Sequence, residues 1–114
     1  MSAASLELPN GEVLALDERG YLLDYGAWSP LVAETMAAAD GLVLENDHRA
    51  VLAIFREYFE AYGIEPPMRA LVKRAKERLG EEKGSSRYLY RLFPDGPGTQ
   101  ACRYAGLPRP LSCV

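Results

Sequence analysis

The sequence predicts a mainly α-helical protein: a small bundle of about five helices, preceded by a β-hairpin and followed by a flexible C-terminal arm. Three observations support this class. Apolar residues recur at spacings of three and four along most of the chain. Proline and glycine mark the start and the end of the helical stretches. At 114 residues there is room for one modest core, so we expect one domain over residues 1–105 and the arm over residues 106–114.

The hairpin is predicted at about residues 12–24, in the stretch GEVLALDERGYLLD. Apolar residues precede a polar Asp-Glu-Arg-Gly turn, and a second apolar run returns after it. Because an isolated hairpin is marginal in water, we expect it to pack on the helices that follow.

Five helices follow, each with a start or stop signal. The second has the widest apolar face and is expected at the centre of the bundle. The third and fourth together resemble a helix-turn-helix. The predicted helices run from Ser29-Pro30 to Gly41, from about Asn46 to Tyr62, from Pro66-Pro67 through Leu79, from Gly84-Ser85 to Phe93, and from Gly98 to Ala105.

Charge is distributed unevenly along the chain. Residues 1–65 hold 3 Lys and Arg against 12 Asp and Glu, whereas residues 66–114 hold 10 against 4. A basic half indicates either an anionic partner or two oppositely charged faces that attract each other. The helix-turn-helix resemblance makes DNA binding an alternative function, through Arg69, Lys73, Arg74, Arg78, Lys83, Arg87 and Arg91. The sequence pI of 5.2 and a third helix without Asn or Gln argue against base readout.

The N-terminus has neither the basic start nor the apolar stretch of a signal peptide, and no apolar run approaches the length of a membrane span. We therefore expect a cytoplasmic protein without membrane insertion, in a compartment that keeps thiols reduced.

Both cysteines of the chain, Cys102 and Cys113, lie in its last thirteen residues. A structural disulfide is disfavoured by the reducing compartment. A metal site needs three or four ligands, and His48 is the only histidine available to join the two thiols. Burial as a structural residue is an open alternative for Cys102, but it suits a penultimate residue such as Cys113 poorly.

The remaining interpretation is a reactive thiol. A thiolate attacks persulfide or disulfide sulfur, and the nearby Arg103 and Arg109 would favour that ionised form. In this interpretation Cys113 carries the sulfur and Cys102 resolves it. No metal or cofactor is needed, and the protein would act as a stoichiometric carrier, with no general acid–base pair to mark it as an ordinary enzyme.

The spacing of the tail fits such a carrier. Pro108 and Pro110 disfavour helix, so the chain beyond Gly106 should be extended. Seven residues from Gly106 to Cys113, at about 3 Å each, reach roughly 20 Å. Folding back on a Gly106 hinge would bring the same sulfur to Cys102.

The residues resemble the DsrC/TusE family of sulfur-carrier proteins. The resemblance lies in the ending ACRYAGLPRPLSCV, the stretches GEEKGSSRYLYRLFPDGP and REYFEAYGIEPPMRALVK, the hairpin segment DERGYL and the turn at Trp28. It covers nearly the whole chain, and the AGLP-x-P-x-x-C ending is highly specific.

This resemblance implies a compact helical protein that passes sulfur between cytoplasmic proteins. It implies a persulfide on the penultimate cysteine, Cys113. In the DsrC branch, a second cysteine matching Cys102 joins it in a disulfide or a trisulfide, and the partners are dissimilatory sulfite reductase and DsrEFH. The TusE branch usually lacks that cysteine and relays sulfur from TusBCD toward thiolation of the tRNA wobble uridine. The presence of Cys102 favours the DsrC branch.

Four residues differ from the family pattern. Arg109-Pro110 replaces the usual Lys-Pro, Leu111-Ser112 replaces Thr-Gly, and Arg49 stands where tryptophan often follows the histidine. None of these changes removes the thiols. A rival interpretation is a pure interaction subunit, whose arm inserts into a partner while the thiols are incidental; in either case we expect a monomer.

Overall fold

A computed structural model describes residues 4–108 of the chain, and within this range it confirms the predicted fold class. A two-stranded antiparallel hairpin precedes five helices. The predicted arm residues Arg109, Pro110 and Cys113 lie outside the described range. No helix between residues 4 and 108 combines the length and apolar character that crossing a membrane requires.

The hairpin lies one strand earlier than expected. Strand β1 (Ser5–Glu7) pairs with β2 (Val13–Ala15) across a turn at residues 8–11, in which the Gly11 N–H donates to the Leu8 carbonyl at 3.0 Å. Gly11 has a φ of +97°, as the last residue of a three-residue hairpin loop requires. The turn at residues 17–20 is present, but the strand expected after it is reduced to a single bridge between Leu16 and Leu22. The strands are therefore joined by the glycine turn of residues 8–11 and not by the later turn.

The helices follow their predicted order. A 3-10 turn at Tyr25–Ala27 leads into the bundle, and the expected fifth helix is divided into a π-helical turn at Pro97–Ala101 and a short α-helix. The α-helices are α1 (Pro30–Ala39), α2 (Asn46–Tyr62), α3 (Met68–Leu79), α4 (Ser86–Leu92) and α5 (Cys102–Tyr104).

Helix α2 occupies the centre of the bundle, as its apolar face predicts, and packs against α3, α5 and the π-helical turn. Val51, Ile54 and Phe55 are almost fully buried. The same face becomes exposed toward the C-terminal end of the helix, where Tyr62 stacks on Tyr58. Gly63 then ends the helix in the left-handed conformation that glycine adopts most easily.

The start of α2 is fixed by side-chain hydrogen bonds to α4 and its surroundings. His48 Nδ1 accepts from the Glu45 backbone N–H at 3.0 Å, so its Nε2–H donates to the Leu92 carbonyl at 2.9 Å. Asp47 accepts from the Tyr88 hydroxyl and pairs with Lys83 at 2.9 Å. These contacts connect two helices that the sequence separates by about 40 residues.

Candidate functional site

The candidate thiol Cys102 is the first residue of α5 and lies in the core with none of its surface exposed. Its Sγ contacts the Pro108 carbonyl oxygen at 3.6 Å. The burial agrees with the structural alternative for this cysteine. It also means that any chemistry at Cys102 has to begin from a covered sulfur atom.

Helix α5 ends in a Schellman motif. The Leu107 N–H donates to the Cys102 carbonyl at 3.2 Å, and the Gly106 N–H donates to the Arg103 carbonyl at 3.1 Å. Leu107 is fully buried, whereas Pro108 is exposed. We call residues 102–107 the C-terminal anchor, because they tie the end of the described chain to the helical body.

Two side chains from distant parts of the sequence complete this anchor. The indole Nε1–H of Trp28 donates to the Tyr104 carbonyl at 2.8 Å, and Arg56 Nη1 donates to the Ala105 carbonyl at 2.7 Å. These carbonyls lie at the end of a helix, where no following turn can supply a donor. The two side chains therefore satisfy carbonyl groups that the Schellman motif leaves open.

Arg56 is itself held between two aromatic rings. Its guanidinium carbon lies 4.1 Å from the centre of the Tyr25 ring and 4.2 Å from that of Trp28. Burial lowers the pKa of Arg56, against the opposing effects of Tyr25 and Glu60. Arg56 stays ionised in spite of this shift, because an arginine pKa starts far above neutral.

Gly106, which the sequence suggested as a hinge, is tightly packed. Its φ is +77°, and a Cβ at this position would stand 2.5 Å from Cδ1 of Trp28. Both features require glycine here. Leu107, the next residue, is fully buried, whereas Pro108, the last residue that the structure describes, is exposed.

Arg103, which was expected to favour a thiolate, forms an ion pair with a carboxylate of α1's C-terminal end. Its guanidinium pairs with the Asp40 carboxylate, which also accepts from the Tyr104 hydroxyl at 2.7 Å. Gln100 donates to the same hydroxyl at 2.9 Å. Burial, and then the hydrogen bond to Asp40, raise the pKa of Tyr104 to about 12. The expected assistance of Arg103 to a thiolate stays a prediction, and the carboxylate of Asp40 offsets its charge.

The basic residues of α3 and α4 are partly engaged within the fold. Arg78 pairs with Glu57, Lys83 pairs with Asp47, and Arg74 lies over the Tyr58 ring. Four of the seven residues predicted to contact DNA are exposed without such a contact: Arg69, Lys73, Arg87 and Arg91. The exposure of these four residues is compatible with DNA binding but does not indicate it, so DNA binding stays a prediction.

His48 has a structural position. Both ring nitrogens are used, one by Glu45 and the other by Leu92. In the part of the chain from residue 4 to residue 108, no three His, Cys, Asp or Glu side chains cluster in a way that could hold a metal ion. His48 therefore serves to join α2 to α4.

The roles of Trp28 and Arg56 could not be predicted from the sequence. Both residues lie in stretches that carry the family resemblance, but neither shows a local signal of its own, since an arginine on a helix is ordinarily solvated. Their acceptors lie 76 and 49 residues away in the chain. No local pattern could have revealed these pairs.

The family comparison covers nearly all of the chain. The model of the family described as "DsrC like protein" matches residues 9–114. The chain belongs to the DsrC-like family. The predicted resemblance is thereby confirmed.

Among the relatives of this DsrC-like chain are proteins named sulfurtransferase TusE. The protein from Pectobacterium atrosepticum is 43% identical over 104 residues, which cover 91% of this chain and 95% of that protein. The protein from Salmonella typhimurium gives the same identity and the same coverage.

Solved DsrC structures share the fold of this DsrC-like chain. The Allochromatium vinosum DsrC structure is 48% identical, has a TM-score of 0.87, and covers 99% of this chain and 100% of its own. The oxidised γ-subunit of dissimilatory sulfite reductase (DsrC) from Archaeoglobus fulgidus is 40% identical, with a TM-score of 0.89 and coverage of 97% and 100%. Both branches of the family are thus represented at similar identity.

Proposed function

We propose that this protein is a cytoplasmic sulfur carrier of the DsrC/TusE type, with persulfide sulfur on Cys113 and Cys102 as the resolving thiol. One observation of the structure carries the proposal. Pro108, the last residue that the structure describes, has its carbonyl oxygen 3.6 Å from the sulfur of Cys102. The segment that bears Cys113 thus starts beside the second thiol.

Chain geometry makes both roles of Cys113 feasible. Cys113 is the fifth residue after Pro108, and at about 3.3 Å per residue this stretch spans at most roughly 17 Å. This length can carry a thiol away from the body toward a partner. A loop of about ten residues also closes in about 10–100 ns, so a return to Cys102 is not limited by chain diffusion.

The transfer proceeds by thiolate exchange. The Cys113 thiolate attacks the outer sulfur of a donor persulfide, the donor S–S bond breaks, and the donor leaves as a thiolate. An acceptor nucleophile then takes the outer sulfur from Cys113 and restores its thiolate. Alternatively, the Cys102 thiolate attacks the inner sulfur, which forms a Cys102–Cys113 disulfide and releases HS⁻.

The partners follow from the two branches of relatives. The second thiol, Cys102, supports the DsrC branch, with dissimilatory sulfite reductase and DsrEFH-type proteins as partners and a trisulfide as a further sulfur-loaded state. The alternative is a TusE-like relay from TusBCD-type proteins toward tRNA wobble-uridine thiolation, which the similarity to TusE proteins supports. A pull-down from the native host distinguishes them by recovering either sulfite reductase subunits or tRNA-thiolation proteins.

Mass spectrometry tests the carrier role. After incubation with polysulfide, the reduced protein and its Cys102→Ser variant should each gain about 32 Da per sulfur, localised to Cys113. A Cys113→Ser variant should gain none at this terminus. An equal gain in the Cys113→Ser variant would refute the carrier assignment.

Mild oxidation tests the resolving role. The wild-type protein should yield a monomer with a Cys102–Cys113 bond, detected by peptide mapping. If only intermolecular dimers through Cys113 form, Cys102 is not the resolving thiol. The rival interaction subunit makes a different prediction: its Cys113→Ser variant would keep both partner binding and sulfur-transfer activity, whereas a carrier keeps binding and loses transfer.

A further inference from the structure

We propose that Trp28 and Arg56 are positioning residues that keep the C-terminal anchor closed over Cys102, so that this thiol reacts only after local opening of residues 102–107. This inference rests on the proposed resolving role of Cys102. Its consequence is that a persulfide on Cys113 is protected from premature discharge as sulfide while the anchor is closed.

The position of the sulfur requires such an opening. Attack on a persulfide needs a thiolate that can approach the S–S bond, yet Cys102 has no exposed surface. Forming a thiolate in the core also carries the cost of burying a charge. Pro108 brings its carbonyl oxygen against the sulfur, so the segment next to Cys102 has to move before another sulfur can take that place.

Helix α5 is too short to hold this segment by itself. It has three residues, and so short a helix gains little from its own hydrogen bonds. Its attachment rests on the burial of Cys102, Tyr104 and Leu107, none of which is exposed. To this packing are added the hydrogen bonds from Trp28 to the Tyr104 carbonyl and from Arg56 to the Ala105 carbonyl. The bond from Arg56 is charge-assisted, which places it among the stronger hydrogen bonds.

The same two residues also contact each other beside the end of the anchor. The Trp28 indole lies against Gly106, and the Arg56 guanidinium lies over the ring of Trp28. Opening the anchor requires Gly106 to leave the indole and the Ala105 carbonyl to leave the guanidinium. Trp28 and Arg56 thus raise the free energy of opening, in addition to the buried side chains of the anchor, without touching the sulfur atoms.

The rate at which Cys102 is alkylated in a Cys113→Ser variant tests whether Trp28 and Arg56 keep the anchor closed. Iodoacetamide should modify Cys102 slowly in this parent protein. Arg56→Met keeps the aliphatic stem but removes the charge and the donor, and should raise the rate by about 10- to 100-fold. Trp28→Phe keeps a ring but removes the N–H, and should raise the rate by about 3- to 10-fold.

Arg49→Met is the matched control, because Arg49 is an exposed arginine on the same helix, α2, with an ion pair to Glu34. It should change the rate by less than about 2-fold. Modification of the parent protein at the rate of an unfolded chain, or an equal increase in the Arg49 and Arg56 variants, would overturn the proposal.

Urea separates local from global opening. Local opening of residues 102–107 exposes less surface than global unfolding, so the alkylation rate should rise with urea less steeply than the equilibrium constant of unfolding does. A rate that follows global unfolding, with the full urea dependence, would show that the anchor does not open separately and would contradict the inference.

Sulfide release tests the protection of the cargo. With both cysteines present and sulfur loaded on Cys113, Arg56→Met should release HS⁻ and form the internal disulfide about 10- to 100-fold faster than wild type. Loading itself, seen as the added mass on Cys113, should be unchanged. If the wild-type protein takes up no sulfur on Cys113, the proposed function is refuted. If sulfur is loaded normally but Arg56→Met releases HS⁻ at the wild-type rate, only the role of Arg56 in keeping the anchor closed is refuted.

Discussion

Gly106 lies so close to Trp28 that a methyl group in place of its hydrogen would stand 2.5 Å from the indole Cδ1. This contact joins the turn before α1 to the turn after α5. The chain on both sides of this glycine is held in the core, since Ala105 and Leu107 are both fully buried.

Gly106→Ala should lower the free energy of unfolding by about 2–4 kcal/mol, from the left-handed backbone and the overlap with Trp28 combined. Urea denaturation measures the loss. Gly41→Ala is a matched control, since Gly41 has the same φ of +77° with open space around its Cα. It should cost only about 1 kcal/mol. Equal losses in the two variants would show that Trp28 adds no constraint at Gly106.

Tyr104→Phe should change the alkaline stability. Burial, then the hydrogen bond to Asp40, raise the pKa of Tyr104 from 10.0 to about 12 in the folded protein. The folded state thus favours the protonated hydroxyl, and its stabilising effect is fully present below pH 10 and is lost as the pH rises through about 12. The stability difference between wild type and Tyr104→Phe should therefore shrink above pH 10. Unfolding at pH 8 and pH 11 tests this, and a constant difference would contradict it.

Asp47→Asn should reduce the acid sensitivity. Hydrogen bonds from Tyr88 and Lys83, in that order of effect, lower the pKa of Asp47 below its ordinary value of 3.8. Its stabilising effect is present above pH 3.8 and is lost as the pH falls through the lowered value. The variant should be less stable than wild type at pH 7, with the gap closing below pH 3. Unfolding curves with identical pH dependence in both proteins would show that this carboxylate is not coupled to folding.

DNA affinity tests the alternative function of the basic face. A duplex-binding protein should lose affinity steeply with salt, and Arg87→Ala with Arg91→Ala should weaken binding. Because the whole chain carries a net charge of -3, we expect binding no tighter than that of an acidic control protein. Submicromolar, salt-dependent binding that the double variant abolishes would support a nucleic-acid role.

Local signals predicted most of the fold. The bounds of α2 match the expected residues, because its periodic apolar face and the glycine that ends it, Gly63, can both be read along the chain. The first strand was not predicted although its signal is also local: Gly11 marks the turn before β2, whereas the hairpin was expected around the later turn at residues 17–20.

The sequence by itself determined the number and order of the helices, the family, and the two thiols as the chemistry to consider. Only the tertiary structure decided that Cys102 is covered and that Leu107 is buried whereas Pro108 is exposed. Periodicity and turn residues act through the local backbone and can be read along the chain. The anchor depends on Trp28 and Arg56 reaching carbonyls 76 and 49 residues away, and such contacts exist only once the helices have packed.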